Sequence, residues 1–202
     1  MKKNSKKSII LVILLITFAN FVNAQNKWKT GLTISPVMSK VSISSAFNVQ
    51  TKYNIGATAG VDFYRLYGEN FMFKTGLHFN LKNYDVSGND YLGNELNHNS
   101  KEYFITLPLR LQYNFKIKEH QFFVNSGIDV SWRFKSVSKH DNKNYINNDI
   151  SLKPTSELYF GIAYMYKVND NFTFTVNPEY SPVIFKTDYS TFRLNFAVIF
   201  NY

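Results

Sequence analysis

The sequence predicts an all-β chain: an eight-stranded antiparallel up-and-down transmembrane β-barrel. Three observations carry that expectation. Apolar and polar residues alternate with period two from Trp28 to Tyr202. The connections alternate between tight turns and long polar loops, the habit of barrels whose short turns share one side of a membrane. Outside the first two dozen residues no long apolar run exists, so any crossing must be made by strands.

Eight segments show the alternation. Residues 27–35 carry Gly31 and Thr33 on the polar face. Residues 55–66 carry Gly56, Thr58, Gly60 and Asp62 there. In 71–84, Phe71, Phe73, Leu77, Phe79 and Leu81 oppose Lys74, Gly76 and Lys82. In 102–115, Tyr103, Ile105, Leu107, Leu109, Leu111, Tyr113 and Phe115 oppose Thr106, Pro108, Arg110, Gln112 and Asn114. In 121–135, Val124, Ile128 and Val130 oppose Gly127, Asp129, Ser131 and Arg133. In 156–167, Phe160 and Ile162 oppose Gly161 and Ala163. In 172–182, Phe172 and Phe174 oppose Thr173, Thr175 and Glu179. The last segment, 191–202, is the cleanest: Phe192, Leu194, Phe196, Val198, Phe200 and Tyr202 share one face. Residues 67–70, 116–120 and 168–171 read as tight turns. Residues 36–54, 85–101 and 136–152 read as long loops and 183–190 as a shorter one. Pro108 sits mid-strand, where it predicts a bulge or a missing ladder bond.

Alternation alone does not say which face is inside, because a soluble lipocalin-like barrel would alternate too. Size decides. Eight strands enclose a space just wide enough for side chains. The small residues of the polar face suit that lumen, and the Phe and Leu of the other face would overfill it. The apolar face is therefore expected to meet lipid. Most segments reach the ~9–11 residues that a tilted membrane strand needs. Trp28, Tyr84, Tyr103, Tyr113, Trp132, Tyr164, Tyr166, Tyr180 and Tyr202 are candidate interfacial girdle residues.

The N-terminus reads differently. Lys2, Lys3, Lys6 and Lys7 precede the apolar run Ile9–Phe18, and Val22-Asn23-Ala24 offers small residues to a signal peptidase. Residues 1–24 thus read as a secretory signal peptide and 25–202 as the barrel domain. Removing the peptide takes four lysines and no acid. The formal charge falls from +9 to +5, with 19 basic against 14 acidic side chains. No basic stripe remains, so nucleic acid is not an expected partner. The absence of Cys excludes a disulfide framework, a thiolate metal site, a Cys nucleophile and a lipid-modified N-terminal Cys.

The charges of the polar face form the candidate site. Asp62, Lys74, Lys82, Arg110, Asp129, Arg133, Glu179 and Arg193 all point into the expected lumen. Asp62 and Lys74 flank the first tight turn and Arg110 and Asp129 the second, so each pair falls within about one rung. A salt-bridged polar plug is the expected arrangement, with an ion or proton path as the alternative. His78, His98, His120 and His140 match no metal spacing, although His98 and His140 sit in loops that could meet. No cofactor is expected. No Gly-x-Ser-x-Gly elbow is present, and no catalytic residues are expected.

The run Glu102-Tyr103-Phe104-Ile105-Thr106-Leu107-Pro108-Leu109-Arg110-Leu111-Gln112-Tyr113 resembles the signature strand of the PorT-like outer-membrane β-barrel family. The resemblance implies an eight-stranded bacterial outer-membrane barrel and a possible place in a protein-secretion or envelope-assembly machine. The expected function is a non-enzymatic structural or interaction role in the outer membrane, with outer-membrane lipid and other envelope or secretion proteins as partners. A lipid-modifying enzyme and a soluble periplasmic binding barrel are the competing readings.

Overall fold

The computed structural model describes residues 28–41, 49–68, 70–89, 95–117, 120–140, 143–147, 154–183 and 189–201. The expected signal peptide lies outside them. The described strands are β1 (Trp28–Val41), β2 (Val49–Tyr67), β3 (Phe71–Asn89), β4 (Glu95–Ile117), β5 (His120–His140), β6 (Lys143–Asn147), β7 (Thr155–Lys167), β8 (Phe172–Ser181) and β9 (Tyr189–Phe200). All pairings are antiparallel between chain neighbours, except that β5 pairs directly with β7 and β9 returns to β1. The short β6 pairs only with the end of β5 and stands outside the ring. The eight remaining strands close the barrel. Carrying the register once around from Gly31 returns to β1 at Val41. Such a stagger requires strands tilted by about 35–45° to the axis.

The alternation expected from the sequence holds in space. Ile34, Ile55, Leu77, Phe79, Leu111 and Ile162 point outward and are more than half exposed. Thr33, Thr58, Thr106, Ser131 and Asn195 point inward and are buried. A soluble barrel with an apolar core would show the reverse. On β3 the outward apolar stretch runs from Phe71 to Leu81, then changes to Asn83 and Asp85. That length matches one tilted membrane crossing of ~9–11 residues. Aromatics edge the band. At the turn end Arg65 lies over the rings of Trp28 and Tyr67 (5.5 and 5.1 Å), and Phe71 meets Tyr113 edge-on. At the loop end Lys135 lies over Tyr103, which packs on Phe134. Tyr84 is not part of either girdle. It points inward, against Tyr189. Tyr202 lies outside the described residues.

The expected long loops are largely strand. β2 to β5 hold 19, 19, 23 and 21 residues, against 13, 10 and 12 for β7, β8 and β9. Ser, Asn and Asp suggested irregular chain. Above a membrane, however, the outer sheet face meets water, so the ladder continues with a polar outer face, while Tyr84, Val86, Phe104 and Tyr189 pack as a buried cluster on the inner one. Asn99 donates to Asn83 and Asp85 (2.8 Å each), and Asn54 donates to Asp85, on this outward wall.

Pro108 causes no bulge. Its register with Asp129 is regular, and the β4–β5 irregularity falls at Tyr103/Phe104. Toward β3 the ladder skips from Thr75↔Leu109 to His78↔Thr106 with no change of register. The proline takes the place of a missing rung. Pro36 and Pro178 do the same, at the skips Ile34↔Phe196 to Val37↔Arg193 and Gly161↔Glu179 to Tyr164↔Val176. Each proline keeps one regular partner and leaves the gap on its other side, as a residue without an N–H must. The turn between β2 and β3 places Gly68 at φ 65°, a left-handed conformation that favours glycine.

Replacing Ile34 by Arg puts a charge on the lipid face near the middle of β1. We expect a loss of about 2–4 kcal/mol in reversible unfolding from lipid vesicles. Ser35→Ala, on the inward face beside it, should cost less than half as much.

Candidate functional site

The lumen is where the sequence concentrated its charges, and its walls bring them into contact. Asp62 on β2 accepts from the Lys74 ammonium at 3.1 Å and the Tyr64 hydroxyl at 3.1 Å, and also from the Thr33 hydroxyl. His78 Nε2 lies 2.8 Å from its other oxygen. This histidine fits because residue 60 is glycine: a Cβ there would stand 2.2 Å from the imidazole ring. Asp62 pairs in register with Gly76 and Tyr64 with Lys74, so the Asp62–Lys74 contact is a diagonal one.

The middle of the lumen holds a second cluster, drawn from five strands. Arg110 on β4 is 2.7 Å from Asp129 on β5 and 3.3 Å from Glu179 on β8. Arg193 on β9 is 2.9 Å from Asp129 and 3.9 Å from Glu179. Tyr159 on β7, fully buried, lies between the two guanidinium groups at 4.7 and 4.6 Å. Arg193 donates to the Tyr159 hydroxyl (3.1 Å), which donates to Glu157 (3.0 Å). Glu157 takes Lys82 as its ion-pair partner and a hydrogen bond from Thr191. Toward the loop end, Glu102 pairs with Arg133 at 2.7 Å and accepts from Tyr189. Lys82 sits 4.2 Å over the Tyr189 ring, which joins these last two groups.

Uncharged residues fill the space between. Thr58, Asn80, Thr106 and Ser131 form a hydrogen-bonded belt across β2 to β5. Asn125 donates to Asn177 (2.8 Å), and Asn177 donates to Glu179 (3.0 Å). Asn195 donates to the backbone carbonyl of Asn177, its cross-strand partner.

The lumen residues named from the sequence fall into two groups: Asp62 with Lys74, and Lys82, Arg110, Asp129, Arg133, Glu179 and Arg193 in the larger network. Arg133 differs from the others, with its side chain 40% exposed. Sequence reasoning missed Glu102, Glu157 and His78. The two glutamates stood at or beside the start of an expected strand, and His78 was treated as isolated. Inward parity was the signal that could have found all three. His98 and His140 are cross-strand partners in the β4–β5 ladder. Among the described residues no cluster has the make-up of a metal site.

Below the charged network the lumen changes character. Tyr64, Met72, Phe123, Ala163 and Ile199 form a buried apolar layer, with Leu66 and Met165 packed on it. Under that layer the turn end opens as a cavity of about 780 Å³. At its edge Lys167 bonds Asp170 at 2.6 Å, which holds the Asp170 carboxyl below its ordinary range.

A closed eight-stranded barrel, apolar outside and charge-lined inside, defines a small integral outer-membrane β-barrel. The chain belongs to the family described as outer membrane protein beta-barrel domain, whose model matches residues 18–195. It is a protein of the bacterial outer membrane. Among solved structures it is similar to Neisserial surface protein A, at TM-score 0.51 and 9% identity, over 87% of this chain and 97% of that one. The attachment invasion locus protein Ail of Yersinia pestis aligns over 87% of this chain and 99% of its own, at 10% identity and TM-score 0.44. The N-terminal barrel domain of Pseudomonas aeruginosa OprF aligns over 85% and 97%, at 10% and 0.42. The likeness to Neisserial surface protein A is one of fold. No curated protein sequence matches the chain significantly.

The central cluster predicts strong coupling. Arg193→Met leaves Asp129 and Glu179 short of a cation, and Asp129→Asn leaves two guanidinium groups short of a carboxylate. Each should cost on the order of 3–5 kcal/mol in unfolding from vesicles. The double variant should cost clearly less than the sum, because neither charge is then stranded.

Proposed function

We propose that this protein is a non-enzymatic outer-membrane barrel with a plugged lumen, acting through its surfaces as a structural or interaction component. The observation that carries this reading is the central cluster of Arg110, Asp129, Glu179, Arg193 and Tyr159. Its charges answer each other at contact distance across the middle of the barrel. A charge so paired is a poor stepping stone for an ion, because displacing it costs several kcal/mol. The space just inside the apolar layer is about 10 Å³, near the least that holds a single water. The one His–Asp pair with described side chains, His78 and Asp62, is buried at 1% exposure or less, out of reach of an external substrate. Short turns face the periplasm in this architecture. By that rule the extended wall of β2 to β5 faces outward from the cell, where it offers a partner its polar outer face.

A second reading follows from the strand Glu102–Tyr113, which is similar to the PorT-like signature. On it the barrel is a component of a protein-secretion or envelope-assembly machine, with other envelope proteins as partners. Deletion would then deplete secreted proteins while leaving lipid A unchanged, which also separates it from a lipid-modifying enzyme.

The plug is tested in planar lipid bilayers. The purified barrel should insert without discrete conductance steps, and vesicles carrying it should stay impermeable to small sugars. A stable open channel in the wild-type protein would overturn the reading.

A further inference from the structure

The cavity at the turn end has no part in the plug and differs from the rest of the lumen. At mid-depth the inner wall is mostly Thr, Ser, Asn, Gln and paired charge. Here the floor is Leu66, Met72, Phe123, Met165 and Ile199, under a wall that also carries Asn, Gln and Thr side chains. The volume of about 780 Å³ lies within the ~300–1,000 Å³ of ordinary ligand sites. The cavity is blind, because the apolar layer closes its inner end. Its mouth carries Lys29, Lys116 and Lys167, and the one acid among the described lining residues, Asp170, pairs with Lys167, so these groups keep a net positive charge. An apolar bottom under a rim of lysines is complementary to a molecule with one tail and one anionic head. A polar plug would gain nothing from methionine and phenylalanine at this level. A site for a neutral solute would gain nothing from the cations.

We propose that this cavity binds one single-chain anionic amphiphile. Its acyl tail lies against Met72, Phe123, Met165 and Ile199, and its carboxylate or phosphate lies among Lys29, Lys116 and Lys167. Burying the tail removes its own apolar surface, and that of the half-buried Leu66 and Met165, from water, the main source of affinity. The lysines set the preference for a negative head. The opening faces the periplasm by the short-turn rule. The amphiphile can therefore come from the lipid leaflet around the mouth, as a lysophospholipid, or from the periplasm, as a free fatty acid.

Native mass spectrometry on the barrel purified in octyl glucoside tests this. The probes are dodecanoate, 1-lauroyl-lysophosphatidylglycerol and, as the neutral control, 1-lauroylglycerol. One adduct per barrel is expected for at least one anion, held about tenfold or more tighter than the neutral lipid. Whichever anion binds tighter identifies the source. Met165→Trp fills the cavity and should reduce the adduct about tenfold or more while the folded, heat-modifiable band persists. Lys29→Glu, Lys116→Glu and Lys167→Glu together should abolish the preference for anions. Lys101→Glu, on the outward wall, should change nothing. Equal binding of the neutral lipid, several adducts rising with concentration, no adduct at all, or an adduct unaffected by Met165→Trp would each overturn the proposal. Should the triple lysine variant fail to fold, Met165→Trp and the neutral control still decide.

Discussion

Hydrocarbon offers no hydrogen bonds, and the rest of the structure follows from that lack. Each amide at membrane depth must find its partner within the protein, so the sheet has to close on itself. Closure with eight strands sets a narrow radius. The radius in turn decides the inner residues: small ones where strands approach closely, longer ones only where they can lie across the axis. Gly60 under His78 shows both halves of this rule. The three mid-strand prolines mark where the ladder is interrupted, and each falls beside a gap already present in the register. At Pro178 the ladder to β9 runs on unbroken, and the gap is confined to the β7 side.

Charge inside so narrow a space is costly unless matched. The lumen matches it group by group, with Asp62 to Lys74, Glu157 to Lys82, Glu102 to Arg133, and Asp129 and Glu179 to Arg110 and Arg193. An apolar filling of similar volume could be as stable. What the polar filling adds is direction. Each contact joins particular strands, and several join strands that are not neighbours. Lys82 on β3 reaches Glu157 on β7, and Arg110 on β4 reaches Glu179 on β8. These cross-links favour one stagger of the ring over its neighbours, because a shift of one rung would turn the partners to opposite faces.

How much of this was legible in the sequence depended on distance along the chain. Parity was readable at membrane depth, so the outward Phe and Leu and the inward charges there were assigned correctly. Asp62 with Lys74 and Arg110 with Asp129 were readable too, because a tight turn fixes the register of its own hairpin. Arg193 with Asp129, or Lys82 with Glu157, could not be read. Those contacts depend on the stagger accumulated around the whole ring, which no local pattern encodes. Composition misled at the loop end. Asn83, Asp85 and Asn99 look like loop residues because water lies on their side of the sheet, not because the ladder stops. The same error made Glu102 and Glu157 look like strand ends and hid their inward parity. Tyr84 was misplaced because an aromatic near a strand end resembles a girdle residue from either face.

The inequality of strand lengths gives the molecule a heading. A barrel cut level at both ends would look alike from every side within the plane of the bilayer. Here β2 to β5 rise several rungs above the strands opposite them, at about 3.4 Å per residue. Among the described strands the rim is slanted, like the mouth of a quill. Rotation about the membrane normal then carries information: which neighbour faces the tall side, and which the low one. A label on the tall wall would report azimuth as well as position, and contacts made there by two copies could not be exchanged for contacts made at the low side.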